Sequence, residues 1–460
     1  MRFLTRERTR AVLFLAGLGI VAAIIATSLP RYRLARAIEA IRNEGYPTTF
    51  DERADWYPAI PDAENAALVY IEADRLMTEI GAEVDHLPIV GEVDGETRPE
   101  SVTPEVAGQI DAFLEEHEPI LGMLRRAASM PGARPPRGTD WMEDEAPLEY
   151  YRLVRQVWRL ALLQFFQGIY TDRPEAVVDG FRIASSIAGS FATQPTSTSE
   201  LVRIALVQGA LEAIPRALAQ VHHSDEDLVL LANALTRLES KDMASRALIA
   251  ERVVYLETTG ILGGKGFTEL AQDAALEIHW YAWMDQQWED LPYTIASFTG
   301  IRSEAWIEEL ALNKRLIESA SLPYPEGEKV RRRIEFERDN LPKYIGIGPR
   351  DMSPFVGWTN FVAFGMLAET DARLACAETA IAIERFRLKH GRLPVRLDEL
   401  VPEHLDDIPC DPIDEQPLRS AFFERMYMVY SVGKNGIDQG GLIAKPKLSD
   451  DVGIVVVHRR

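Results

Sequence analysis

A chain of 460 residues with 47% hydrophobic content is long enough for two or three domains of ~150 residues and can bury a substantial core. Its 50 Lys and Arg against 71 Asp and Glu leave a net charge of −21, and no basic stripe offsets it in the body, which argues against nucleic acid as a partner. Two cysteines, Cys376 and Cys410, exclude a disulfide framework and leave open whether they pair or remain independent thiols.

The first element is "AVLFLAGLGIVAAIIATSL", residues 11–29, which contains no charged side chain. At a rise of ~1.5 Å per residue it covers ~29 Å, the thickness of a bilayer's hydrocarbon core. A cleaved signal peptide is the alternative, but its apolar core spans ~7–15 residues and ends in a small-residue site that "AIIATSL" fits poorly. Residues 1–30 therefore read as a cytoplasmic tail and a single transmembrane anchor. Arg2, Arg6, Arg8 and Arg10 precede the span and Arg31, Arg33 and Arg36 follow it, so the charge bias is slight and the short tail sets the orientation. The expected location is the inner membrane, single-pass, with the C-terminal bulk in the periplasm.

Residues 31–147 read as a juxtamembrane helical region with loops. "RYRLARAIEAIRNEG" is a helix released at Gly45, and Asp62 is placed to cap a second one carrying Ala66, Leu68, Val69, Ile71 and Leu76 on its packed face. Loops are expected at 81–101 and 130–147, where prolines and glycines accumulate.

Residues 148–340 read as an α-helical array. "YYRLVRQVWRLALLQFFQGIY" is expected to stop near Gly168, and the next helix to open with a Thr171/Asp172 cap and a first-turn proline. The "L-x-x-F-F-x-G-x-Y…P-E-A-V" passage resembles a tetratricopeptide-type hairpin, although no strict repeat follows it, and the expectation is a solenoid-like stack of hairpins. "HHSDED", residues 222–227, looks at first like a metal cluster. Ser224 and Asp227 instead fit a helix capping box, with His222 and His223 ending the preceding helix. "GGKGF" lacks both the first glycine and the Ser or Thr of a phosphate loop. "HWYAWMDQQWED" sets Trp280, Met284 and Trp288 along one helical face with Trp283 beside Trp280, an expected packing stripe, and Trp280, Trp283 and Trp288 are the best aromatic candidates for an interface.

Residues 341–357 read as a linker, and 358–460 as a long helix followed by a small α+β module. In the helix, Leu367, Leu374, Ile381 and Leu388 recur every seven residues beside Ala368, Ala375 and Ala382, a narrow stripe suited to one partner helix. After it, Gly391 and Pro394 release the chain, "RLDELVPEHL" makes a helical turn, and Asp411–Pro412 starts another turn. "RMYMVYS" alternates Met426, Met428 and Tyr430 with Tyr427 and Val429 as a strand does; "GKNG" turns it, and "VGIVVVH" is the last strand.

Residues 373–457 resemble the C-terminal part of the type II secretion system protein G family, the major pseudopilins. The resemblance rests on "AIERFRLKHGRLPVRLDELVP", "IPCDPIDEQPL", "YMVYSVGKNGIDQGG" and "SDDVGIVVV" in that order. It implies a pseudopilin-like module and a calcium loop with Asp438, Asp450 and Asp451 as candidate oxygen ligands. The family's acidic loop tripeptide is replaced here by Lys434-Asn435-Gly436, and the apolar span lacks the glutamate that pseudopilins carry near its start. A weak internal echo also stands out: Pro47-Thr-Thr-Phe-Asp-Glu matches Pro394-Val-Arg-Leu-Asp-Glu in spacing after a helix end and a glycine.

No H-E-x-x-H, G-x-S-x-G, G-x-G-x-x-G or C-x-x-C signature occurs, and in so acidic a chain paired carboxylates carry no information. The expectation is a mainly α, membrane-anchored, non-enzymatic envelope protein that serves as a scaffold or protein-interaction module. No cofactor is expected, with calcium in the C-terminal module the one candidate, and the expected partners are the membrane and envelope proteins. Two alternatives stay open, an envelope hydrolase using carboxylates and an accessory component of type II secretion-like machinery.

Overall fold

The computed structural model describes residues 14, 17–18, 28–80, 102–135, 146–193, 196–239, 242–258, 301–340, 358–441 and 450–458. It is mainly helical, with one three-stranded sheet near the C-terminus. Most of 11–29 lies outside the described residues, and among those described no helix is long and apolar enough to cross a membrane. The chain divides into two compact units, each assembled from separated stretches.

The first unit takes Met1–Trp56, Leu248–Leu322 and Glu326–Phe361. It contains α1 (residues 28–43), α2 (Phe50–Trp56), the latter part of α11 (Met243–Thr258), α12 (Ile301–Ser319) and most of α13 (Tyr324–Asp339). A small core of Leu34, Ile38, Tyr255, Leu256, Trp306 and Leu310 joins α1, α11 and α12. Ion pairs rim it, Arg33 with Glu304 at 2.7 Å and Lys314 with Glu44 at 2.6 Å. Arg252 is buried beneath the ring of Tyr46, and that desolvation pulls its guanidinium down to about 10.

The second unit takes Tyr57–Ala247, Pro323–Pro325 and Val362–Arg460. Its helices are α3 (Ala66–Ile80), α4 (Pro104–Glu116), α5 (Glu118–Ala127), α6 (Ala146–Tyr170), α7 (Pro174–Gly189), α8 (Ser197–Leu211), α9 (Ile214–Gln220) and α10 (Asp225–Thr236), joined by the long α14 (Trp358–His390) from Val362 onwards. The α6–α7 pair is its centre. Phe165, Phe166, Val177, Phe181 and Ala184 are shut off from water between the two helices. Gly180 permits their close approach, because a Cβ there would stand 2.5 Å from the Phe165 backbone nitrogen. α7 also packs on α5, α8 and α10, so these helices share one core around it rather than each touching only its sequence neighbours.

Side-chain caps open α4, α8 and α10. Ser224 and Asp227 form a capping box on α10, as the sequence suggests, and Thr196 and Ser199 form another on α8. The hairpin between α6 and α7 differs from expectation. α6 runs past Gly168 to Tyr170, and α7 starts at Pro174 with no side-chain cap. Asp172 adopts a left-handed backbone at φ 52°. It accepts the His222 backbone N–H at 2.8 Å and faces the His222 Nδ1 at 2.6 Å.

The middle of α14 is also more enclosed than a single stripe predicts. From Thr379 to Glu384 six consecutive residues are buried, more than a full turn, while Glu378 just before them is exposed. One side meets the helical body, where Gln208 donates to the Thr370 hydroxyl at 3.0 Å and Arg385 to Asp225 at 2.8 Å. The other carries the sheet, and the Tyr427 hydroxyl donates to the Ala380 carbonyl at 3.2 Å.

The sheet is an antiparallel meander in the order β1 (Arg419–Phe422), β2 (Met426–Ser431), β3 (Val452–Val457). Tyr427 pairs with Phe422 on one side and Val456 on the other. Tyr427, Val429, Ile454 and Val456 point into the core, while Met426 and Met428 are half-buried on the opposite face. β2 and β3 are the strands the alternation predicts; β1 is not anticipated.

Candidate functional site

The chemistry worth building up sits in the C-terminal module, where three features surround the sheet. The first is a buried carboxylate. Asp411 is fully enclosed, and its two oxygens accept from Ile413 N at 2.9 Å, Ser431 Oγ at 2.8 Å, Val432 N at 2.9 Å and an Arg419 guanidinium nitrogen at 3.1 Å. Three neutral donors and a cation compensate it, as a buried charge requires. Arg419 continues to Asp414, whose carboxyl it holds below the ordinary carboxylate range. Sequence reading sees only a turn at Asp411–Pro412; the carboxylate in fact ties that turn to the start of β1 and the end of β2.

The second feature is the turn after β2, where calcium ligands are expected. Asp451 accepts the N–H groups of Gln439 at 3.1 Å and Gly441 at 2.8 Å. Asp438 accepts from Gly440 N at 2.9 Å and from the Tyr430 hydroxyl at 3.2 Å, with Arg419 Nε 3.6 Å away. Burial, with Asp438 next, pushes the Tyr430 phenol up to about 12. Asp450 is exposed, and its backbone N–H donates to the Gln439 side chain. Two of the three aspartates thus meet at one turn, each engaged by N–H or O–H donors, and the third lies beside it. Gly433 lets this turn close on the entry to β3: its φ is 64°, and a Cβ would collide with the Asp450 carbonyl. Residues 442–449, the rest of the loop, lie outside the described residues.

The third feature is a groove of about 710 Å³ along the outer edge of β1. Its walls are Pro394, Val395 and Leu397 on one side and Leu418, Phe422 and Phe423 on the other. Val395 is 74% exposed and Phe423 52%, both large for apolar side chains. Among the described residues β1 pairs only with β2, so its other edge presents unpaired backbone groups to the groove.

Elsewhere, the two cysteines are free thiols, Cys376 buried in α14 and Cys410 exposed. Burial, with Asp411 nearby, pushes the Cys376 thiol up. His223 of the "HHSDED" stretch donates its Nε2 hydrogen to the Ala217 carbonyl at 3.2 Å, consistent with its place at a helix end. Trp280, Trp283 and Trp288 lie outside the described residues. Comparison with protein families, with characterised proteins and with solved structures finds no match to this chain.

Proposed function

We propose that this chain is an inner-membrane-anchored protein of the bacterial envelope that acts by binding other proteins, with the C-terminal module as its docking element. The observation that carries the reading is the groove beside the free edge of β1, where Val395 and Phe423 stand exposed. A sheet edge with a lined groove takes an extended segment as an added strand: main-chain hydrogen bonds supply affinity and alternate side chains fill the groove. The charge-free stretch 11–29 supports the anchor, and the resemblance of 373–457 to the major pseudopilins supports an envelope setting.

The test is a photo-crosslinking residue placed at Ser420 or Phe423 of the full-length protein in native membranes, with Leu230 on the exposed side of α10 as the control position. Adducts with envelope proteins are expected from the groove positions only, and Val395→Asp is expected to remove most of them. Retention in the membrane pellet after alkaline extraction is expected for the anchor. Adducts that are equal at all three positions, or unchanged by Val395→Asp, sink the docking role.

A further inference from the structure

The last turn of α14 and the turn beyond Pro402 bring His390, Glu403 and His404 together, with one ligand atom from each within 4.8 Å of the other two. Among the described residues this is the one group of three His, Cys, Asp or Glu side chains so gathered. We infer that it is a binding site for a divalent transition-metal ion of the zinc type. Two imidazole nitrogens and one carboxylate oxygen match the donor preference of such ions, and three protein ligands leave a fourth position for water or a partner's side chain.

The state of His404 supports the assignment independently of proximity. Both of its ring nitrogens are shut off from solvent and neither has a hydrogen-bond partner. Polar atoms so placed ordinarily have a partner, and a metal would supply one. Phe386 backs the site: its ring lies 4.2 Å from His390 and meets His404 edge-on at 6.1 Å, which orients both imidazoles and gives the site an apolar floor. Tetrahedral coordination needs ligand atoms roughly 3.3 Å apart, so the group must draw in. His390 and Glu403 are exposed and can turn to do so. One competitor is present, because Lys389 pairs with Glu403 and must let go.

The ion would clip the end of α14 to the 403–404 turn and so close the loop between them. That loop carries Leu393–Asp398, one wall of the groove along β1. Metal occupancy would therefore hold the groove's wall in place. The metal site itself does not depend on the groove having a partner.

The experiment is titration of the tag-free, full-length protein in detergent with Zn²⁺ by calorimetry, and with Co²⁺ by its visible spectrum. One equivalent is expected to bind, with the strong visible bands of a four-coordinate cobalt site. His390→Ala and His404→Ala are each expected to weaken binding at least tenfold, and Lys389→Met to strengthen it by freeing Glu403. His390 is exposed, so its variant is expected to keep the wild-type circular dichroism and metal-free melting curve, which separates ligand loss from misfolding. Less than one equivalent in the wild type, or binding unchanged in a folded His390→Ala protein, overturns the site.

Discussion

The Asp411 carboxylate accepts the backbone N–H of Val432 at 2.9 Å across 21 residues of sequence. The same side chain holds Ile413, Ser431 and Arg419, so the turn before β1, the start of β1 and the end of β2 share one anchor. Removing it strands buried donors and a guanidinium together. Asp411→Ala is expected to cost about 3 kcal/mol or more, the range for breaking a buried hydrogen-bonded charge. Asp411→Asn is expected to recover little, because its amide nitrogen would face donors. Urea unfolding of the two variants measures both losses; a cost under about 1 kcal/mol for Asp411→Ala would show that the anchor is dispensable.

A second prediction concerns the contact of α6 with α7. At Gly180 a methyl group would press on the Phe165 backbone and the Ala161 carbonyl, neither of which can rotate away. Gly180→Ala gains helix propensity of about 1 kcal/mol, but overpacking costs about 1–3 kcal/mol. The net is expected to be destabilising, and Gly180→Val more strongly so. Gly108 on α4 has open space at its Cβ position, so Gly108→Ala is the control and is expected to stabilise. Thermal unfolding of the three variants checks the order.

Truncation after Gly391 is a natural way to ask what the tail does, and α14 predicts a different result from simple loss of a module. The sheet covers Ala380, Ile383 and Glu384, with Tyr427 bonded to the Ala380 carbonyl and His458 facing Glu384 at 3.0 Å. Without residues 392–460 that apolar side of α14 meets water. The truncated protein is expected to bind hydrophobic dyes, aggregate and lose its cooperative transition. A soluble truncated form with a sharp melting curve would mean that the body does not need the sheet. Point changes such as Val395→Asp are the cleaner probe of the groove.

What the sequence shows and hides follows from the range of the interactions involved. The capping box of Ser224 and Asp227 is local and legible, and so are β2 and β3, whose alternation mirrors one buried face. β1 escapes notice because all four of its residues are half-buried, so no alternation marks them. The seven-residue stripe on α14 suggests one partner where there are two, since alanines and Thr379 serve a close approach that hydrophobic spacing does not register. His390 and the Glu403–His404 pair are brought together by the intervening turn, which spacing does not show. The echo between 47–52 and 394–399 is legible and physical. Thr48 N–H donates to Glu52 at 2.7 Å and Val395 N–H to Glu399 at 2.6 Å, each after a glycine of positive φ.

That repeated carboxylate gives the last prediction, on acid stability. Glu399 accepts from Arg392 at 2.6 Å and from the Val395 and Arg396 backbone, and these bonds, Arg392 first, hold its carboxyl down to about 2 against an ordinary 4.5. A carboxyl depressed in the folded state contributes stability that is fully present above its unfolded value. The contribution is lost as pH falls from 4.5 towards 2. Glu399→Gln removes the charge at every pH. Its urea midpoint is therefore expected to lie below that of the wild type at pH 6, and the gap to narrow steadily from pH 4.5 downwards. Asp414, depressed by Arg419, adds the same sign in the wild type, and Asp414→Asn should show a similar convergence below pH 3.8. A gap that stays constant from pH 6 to pH 2.5 would mean that the Glu399 bonds do not distinguish its charged form, and that the loop is held by its backbone turn alone.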